Sequence, residues 1–146
     1  MLDRSHIGHK FNAHSVEIEK GRLRFFAKAI GETNPIYSDE KAAKKAGYRS
    51  IPVPPTFPFS IDLESPEFLP VLTLLEMDIG RILHGSQDFE YFQSICAGDV
   101  ITCQTEIRDM FDKKGGALEF VVLETAYTNK DGEIVVKTSQ SLVYRN

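Results

Sequence analysis

Apolar residues recur along the chain at two different spacings, and the change from one to the other divides it. Leu23, Phe26, Ala27 and Ile30 fall at i, i+3, i+4 and i+7 and line one stripe of a helix, with Arg22, Arg24 and Lys28 off that stripe. Gly31 is placed to stop it. A shorter helix is expected next, with Ser38 as its cap and Asp39 and Glu40 at its positive end. Lys44 and Lys45 suit its negative end, and Gly47 closes it. Pro52, Pro54, Pro55 and Pro58 then exclude a central strand, because proline has no N–H for a ladder. Pro54-Pro55 suits the first turn of a helix. Helix is therefore predicted over 56–61 and again over 67–76, with a loop at 62–66.

Further along, the spacing becomes two. A strand is expected over 87–93, followed by a turn at Ala97-Gly98-Asp99. Ile101, Cys103, Ile107 and Phe111 share one face, against Thr102, Gln104, Glu106 and Arg108 on the other. Lys113-Lys114-Gly115-Gly116 and Asn129-Lys130-Asp131-Gly132 read as turns. The stretch 118–127 between them is apolar on both faces in part, as a central strand would be. Ile134, Val136, Leu142 and Val143 belong to the last strand. No repeat, low-complexity stretch or linker interrupts the pattern, so one domain over 1–146 is expected. Helices first and an antiparallel meander after make the fold class α+β.

Composition narrows the functions. The chain has 146 residues, 42% hydrophobic and 26% charged, enough for a packed core without disulfides or metals. Its formal net charge of -4 argues against nucleic-acid binding, which needs a concentrated basic surface. Any anionic ligand must meet a local basic patch. Cys96 and Cys103 match no zinc spacing and are expected to be reduced and buried; no metal is expected. The polar first eleven residues hold no apolar signal core, and no apolar run approaches the ~20 residues of a membrane span. A cytoplasmic protein is expected. His6, His9 and His14 read as surface residues of a mobile N-terminus.

One segment carries more specific information. Gly31-Glu32-Thr33-Asn34-Pro35-Ile36-Tyr37-Ser38-Asp39, followed by Ala42-Ala43 and Ala46-Gly47-Tyr48, resembles the signature of MaoC-like dehydratases and R-specific enoyl-CoA hydratases, approximately Gly-Asp-x-Asn-Pro-Leu-His-x-Asp. Val53-Pro54-Pro55-Thr56-Phe57, Leu83-His84-Gly85-Ser86-Gln87 and Ala97-Gly98-Asp99-Val100 resemble the N-terminal, FAS1-like branch of that superfamily. The resemblance covers nearly the whole chain. It implies a hot-dog fold, an antiparallel sheet wrapped around a central helix. It also implies a homodimer, or a heterodimer with a second hot-dog subunit, binding acyl-CoA or acyl-carrier thioesters between the two halves.

Hydration of a conjugated enoyl thioester needs a base for water, an acid for the α-carbon and donors for the thioester oxygen. In the resembled family the signature Asp and His do the water work; here those positions hold Glu32 and Tyr37. Glutamate lengthens the arm by a methylene. Tyrosine, with a pKa of about 10, is a donor rather than a base near neutral pH. Three readings follow. The chain is the substrate-binding half of a two-subunit (R)-type 3-hydroxyacyl-thioester dehydratase. Or it is a hydratase working alone, with Glu32 as base and Tyr37 or His84 assisting. Or it is an acyl-thioester-binding module with no reaction; a hot-dog thioesterase is a related alternative on the same fold. Asn34 is expected to support the turn and act as a ligand-facing residue. Lys44, Lys45 and Arg49 form a basic cluster for coenzyme A or phosphopantetheine phosphates, against helix-end charge compensation. Phe57, Phe59, Ile61, Phe68, Leu72 and Leu75 are candidates for an acyl pocket, against a role in the core, and His84 for substrate binding against a structural role. No dissociable cofactor is needed.

Overall fold

A computed structural model describes residues 1–67 and 69–146. The backbone follows the two spacings. Helices α1 (Lys20–Ala29), α2 (Glu40–Lys45), α3 (Phe57–Asp62) and α4 (Pro70–Leu74) precede four long-range strands, and one short strand precedes them all. The strands are β1 (His14–Glu17), β2 (Ile82–Tyr91), β3 (Val100–Lys113), β4 (Leu118–Thr128) and β5 (Ile134–Arg145). They form one antiparallel sheet in the order β1-β3-β4-β5-β2. Tight turns join β3, β4 and β5, so β4 is central as its composition requires. Its burial alternates strictly: Glu119, Val121, Leu123, Thr125 and Tyr127 are buried, and the residues between them are half-buried.

The helices cover that buried face. Leu23 and Ala27 of α1 are buried, and Phe26 meets the Phe57 ring edge-on at 5.2 Å. Ile30, the fourth member of the expected stripe, lies past the helix end and is exposed. The proline-rich stretch enters α3 as expected, with Pro58 in its first turn. The helix expected over 67–76 is shorter, occupying Pro70–Leu74; Phe68 lies outside the described residues. Apolar side chains gather into two clusters. One joins Leu23, Ile51, Phe57, Ile61, Ile101 and Tyr127, and the other Phe11, Val71, Leu75, Ile107, Val121 and Tyr144. An antiparallel sheet covered on one face by short helices in the place of a central helix is the hot-dog fold. No helix among the described residues is long and apolar enough to cross a membrane.

Three local expectations are corrected. Asp39, not Ser38, caps α2: its carboxylate accepts the Lys41 N–H at 2.9 Å. The alternation in β3 breaks at Arg108, where a bulge inserts one residue against β4. Met110 then turns inward, and Phe111 turns outward to stack on Phe120 at 4.8 Å. His14 belongs to no mobile tail. It lies in β1, half-buried and paired with Cys103 of β3. Cys96 and Cys103 are buried free thiols.

A second bulge lies in β2, where Gly85 is the extra residue between the pairs His84–Leu142 and Ser86–Ser141. A Cβ there would come within 2.7 Å of Ser141 Oγ and 2.9 Å of Val143 Cγ2. Gly85→Ala is therefore expected to lose about 1–3 kcal/mol in urea unfolding, because the strand pair must shift to admit the methyl group.

Candidate functional site

The signature segment folds through its own side chains. Gly31 at φ +73° turns the chain out of α1, a conformation glycine adopts without a Cβ penalty. The Glu32 N–H then donates back to Ala27 O at 2.8 Å. The Glu32 carboxylate curls onto its own turn and accepts the Asn34 N–H at 2.8 Å. Asn34 is extended rather than left-handed, and its side-chain oxygen caps a 3-10 turn at Pro35–Tyr37 by accepting the Ile36 N–H at 3.2 Å. Glu32 and Asn34 thus build the bend that presents Tyr37.

Tyr37 is half-buried in the wall of a cleft of about 370 Å³, shared with Tyr48, Pro52, Pro55, Tyr91 and Phe92. Burial raises the Tyr37 pKa, and Tyr48 and Glu32 add to the rise, so the phenol stays protonated. Tyr91 donates its hydroxyl to Pro55 O at 2.8 Å, and burial followed by the nearby Tyr37 raises its pKa as well. The cleft therefore presents neutral phenols. It offers a hydrogen-bond donor where hydratase chemistry would need a base.

The basic cluster is held by carboxylates. Lys44 lies 3.2 Å from Glu40, which also takes Lys20 at 2.7 Å. Hydrogen bonds from both lysines hold the Glu40 carboxyl at about 2. Arg49 grips Asp99 through two bonds of 2.7 and 2.8 Å, and Asp99 also accepts the Cys96 N–H. Burial acts to raise the Asp99 pKa, but Arg49 and that N–H outweigh it and hold the carboxyl below the usual range. Arg49 ties the loop after α2 to the Ala97-Gly98-Asp99 turn. Lys45 is exposed.

The apolar candidates divide. Phe57 is 1% exposed and belongs to the core, with the Arg22 guanidinium over its ring. Ile61 and Leu75 are core residues too, and Leu72 packs on the second cluster. Phe59 instead faces a second cavity of about 290 Å³, between the two apolar clusters and beneath the α3–α4 connection. His84 lies on its rim, edge-on to Phe59 at 5.6 Å and 3.2 Å from Gln87 Oε1. Glu32, Asn34 and Tyr37 are not among the walls of this cavity, so the proposed site residues fall in separate places.

This second cavity holds groups that the sequence reading passed over. Asp62, the last residue of α3, projects into it. Its Oδ2 accepts the Thr125 hydroxyl at 3.2 Å, and its Oδ1 is buried without a partner. Burial raises its pKa; the Tyr127 and Thr125 hydroxyls and the nearby His14 offset this in part, leaving the carboxyl at about 6. His14 Nε2 is 3.0 Å from Ile61 O, and a carbonyl only accepts, so that nitrogen carries a proton. Cys103 lies alongside, its thiol pKa raised by burial and then by Asp62. The spacing did contain a signal. Asp62 stands three residues after Phe59, on the same helix face, and His14 alternates with Val16 and Ile18.

Fold and site define a hot-dog protein of the MaoC-like dehydratase superfamily, with a glutamate and a tyrosine in the signature positions. The chain belongs to the FAS1-like, dehydratase domain region family, which it matches over residues 5–138. A UPF0336 protein of Thermobifida fusca (strain YX) is 35% identical over 145 residues, 99% of this chain and 94% of that protein. The C-terminally truncated HadBC (3R-hydroxyacyl-ACP dehydratase) complex of Mycobacterium tuberculosis contains a chain of similar fold. It has a TM-score of 0.80 and 23% identity over 94% of this chain and 96% of that one. A MaoC-like dehydratase superposes at a TM-score of 0.87 with 19% identity, over 97% of this chain but 43% of its own.

Asp62 also sets a pH dependence. Its carboxyl titrates near 6 when folded and near about 3.9 when unfolded, so between those values the folded chain binds more protons. Stability therefore falls as pH rises through that window, by on the order of 3 kcal/mol in all. Asp62→Asn is expected to flatten this slope between pH 4 and 7, read from urea midpoints, and to raise stability mainly at the alkaline end.

Proposed function

We propose that this chain is one subunit of a (3R)-hydroxyacyl-thioester dehydratase, run in reverse as an enoyl-thioester hydratase. The substrate is an acyl-CoA or acyl-carrier thioester, and a second hot-dog subunit supplies the acid–base pair. The observation that carries this reading is the state of the two signature positions. Tyr37 is a half-buried, protonated phenol, and the Glu32 carboxylate is turned onto the Asn34 N–H. Neither is poised to take a proton from water, while family membership supports dehydratase ancestry. In the proposed complex Tyr37 orients bound thioester by donation and the partner moves protons.

The sheet edge supports a partner. β2 is ten residues long and its outer edge is unpaired in the sheet order, with Leu83, Tyr91 and Phe92 exposed along and just beyond it. A long strand with open N–H and C=O groups and exposed apolar side chains favours pairing with another chain. HadBC, similar in fold, is itself a complex.

The test is hydration of crotonyl-CoA, followed by loss of the conjugated-thioester absorbance. The chain alone is expected to give no rate, and the chain combined with a hot-dog subunit carrying the signature Asp and His to give one. In that two-subunit enzyme Tyr37→Phe should lower the rate by less than about tenfold. A loss of 10²–10⁴-fold would instead make Tyr37 the acid–base group, since that is roughly what such a group contributes.

A further inference from the structure

The carboxylate of Asp62 is surrounded by donors that are already committed. Thr125 donates its hydroxyl to Asp62 Oδ2, so the 2.8 Å bond between Thr105 and Thr125 must use the Thr105 proton. Tyr127 donates to Pro58 O at 2.9 Å. The proton on His14 Nε2 goes to Ile61 O. Nothing among these neighbours is left to meet Asp62 Oδ1, although that atom is buried. A buried carboxylate oxygen without a donor is costly, so a donor from outside the chain gains from binding there.

The cavity around it specifies what brings that donor. Phe59, Leu63, Leu69, Val71, Leu123 and Leu142 give it apolar walls, and Asp62 and Thr105 share its polar lining with His14, Gln140, Ser65, Asn12, Glu67 and His84. At about 290 Å³ it sits at the low end of small-molecule sites. Its rim includes His84, an exposed residue of the edge strand β2, where the second subunit is proposed to pair. A thioester held between subunits would send its alkyl chain in past Phe59 and His84, far end first.

We infer that this cavity selects acyl chains bearing a hydroxyl group at the end remote from the thioester, with Asp62 accepting that hydroxyl's hydrogen bond. The inference rests on the chain being an acyl-thioester protein, and adds the substrate class to that reading. A hydroxyl suits the site better than an ammonium group, because the apolar walls would strip an ammonium of its water at far greater cost. Asp62 is thus a specificity residue; it need take no part in proton transfer at the thioester end.

The experiment compares two N-acetylcysteamine thioesters on the full chain by calorimetric titration: 6-hydroxyhexanoyl and hexanoyl. The hydroxylated probe should bind tighter by about tenfold or more, the value of one hydrogen bond to a charged acceptor. Asp62→Leu should abolish that preference or reverse it, with a melting temperature no lower than that of the parent chain. Equal affinities for the parent chain, a preference for the hexanoyl probe, or no binding of either overturns the inference without recourse to the variant. The dehydratase reading fails separately. A hydroxyl preference with no hydration of any enoyl thioester, with or without a second subunit, would leave the selective cavity standing and remove that reaction. Hydration without a hydroxyl preference would do the opposite.

Discussion

Two short helices, of six and five residues, cover the buried face of a sheet whose three central strands run eleven to fourteen residues each. That mismatch organises the molecule. One unbroken helix would fill the middle of the concave face; here the cover is interrupted after Asp62 and resumes at Pro70. The apolar contacts divide into two clusters on either side of the interruption, and space is left between them. α1 enlarges the first cluster through Leu23, Ala27 and Phe26, while Phe11, Leu75 and Met77 complete the second. The cavity is thus a consequence of how the sheet is covered, and its polar contents follow from where α3 stops.

The same economy governs the signature bend. Glu32, Asn34 and Gly31 spend their hydrogen bonds and backbone freedom on shaping it, which leaves Tyr37 as the side chain it delivers. The Glu32 carboxylate, accepting the adjacent Asn34 N–H, is held against its own turn and away from the second cavity. The cation-rich corner behaves similarly. Lys44, Lys45 and Arg49 look like an anion site in sequence, yet Glu40 holds Lys44 as well as Lys20 and Asp99 holds Arg49, which ties α1 to α2 and the loop after α2 to the 97–99 turn, while Lys45 is exposed. Two of the basic side chains in this corner, Lys44 and Arg49, are thus held by the chain's own carboxylates.

Much of this was legible from residue order. The turn glycines, the prolines before α3 and the period-two strands fix the meander, and the signature residues point to the hot-dog fold. What escaped had local causes. Bulges at Arg108 and Gly85 shift alternation by one residue, and no spacing rule announces them, so Phe111 was placed inward in error for Met110. β1 is only four residues long, and its single buried side chain, Val16, gives a weak periodic signal. The cavity eluded the sequence because it is built by residues from almost the whole chain, from Phe11 to Leu142. Phe57, read as a possible wall, is a core residue because the Phe26 ring already covers it.

β1 has a further significance for how the chain assembles. His14 pairs with Cys103 and Glu17 with Val100, so this edge strand has no partner until β3 exists, more than eighty residues later in the chain. Closing so long a loop carries a large entropic cost before any contact repays it, and such pairings form late. The contacts of β3, β4 and β5, joined by tight turns, can form first. β1 then docks as a closing strap, bringing His14 against Ile61 and beside Cys103. The wall that faces Asp62 therefore depends on the strand pair with the longest loop to close in the sheet.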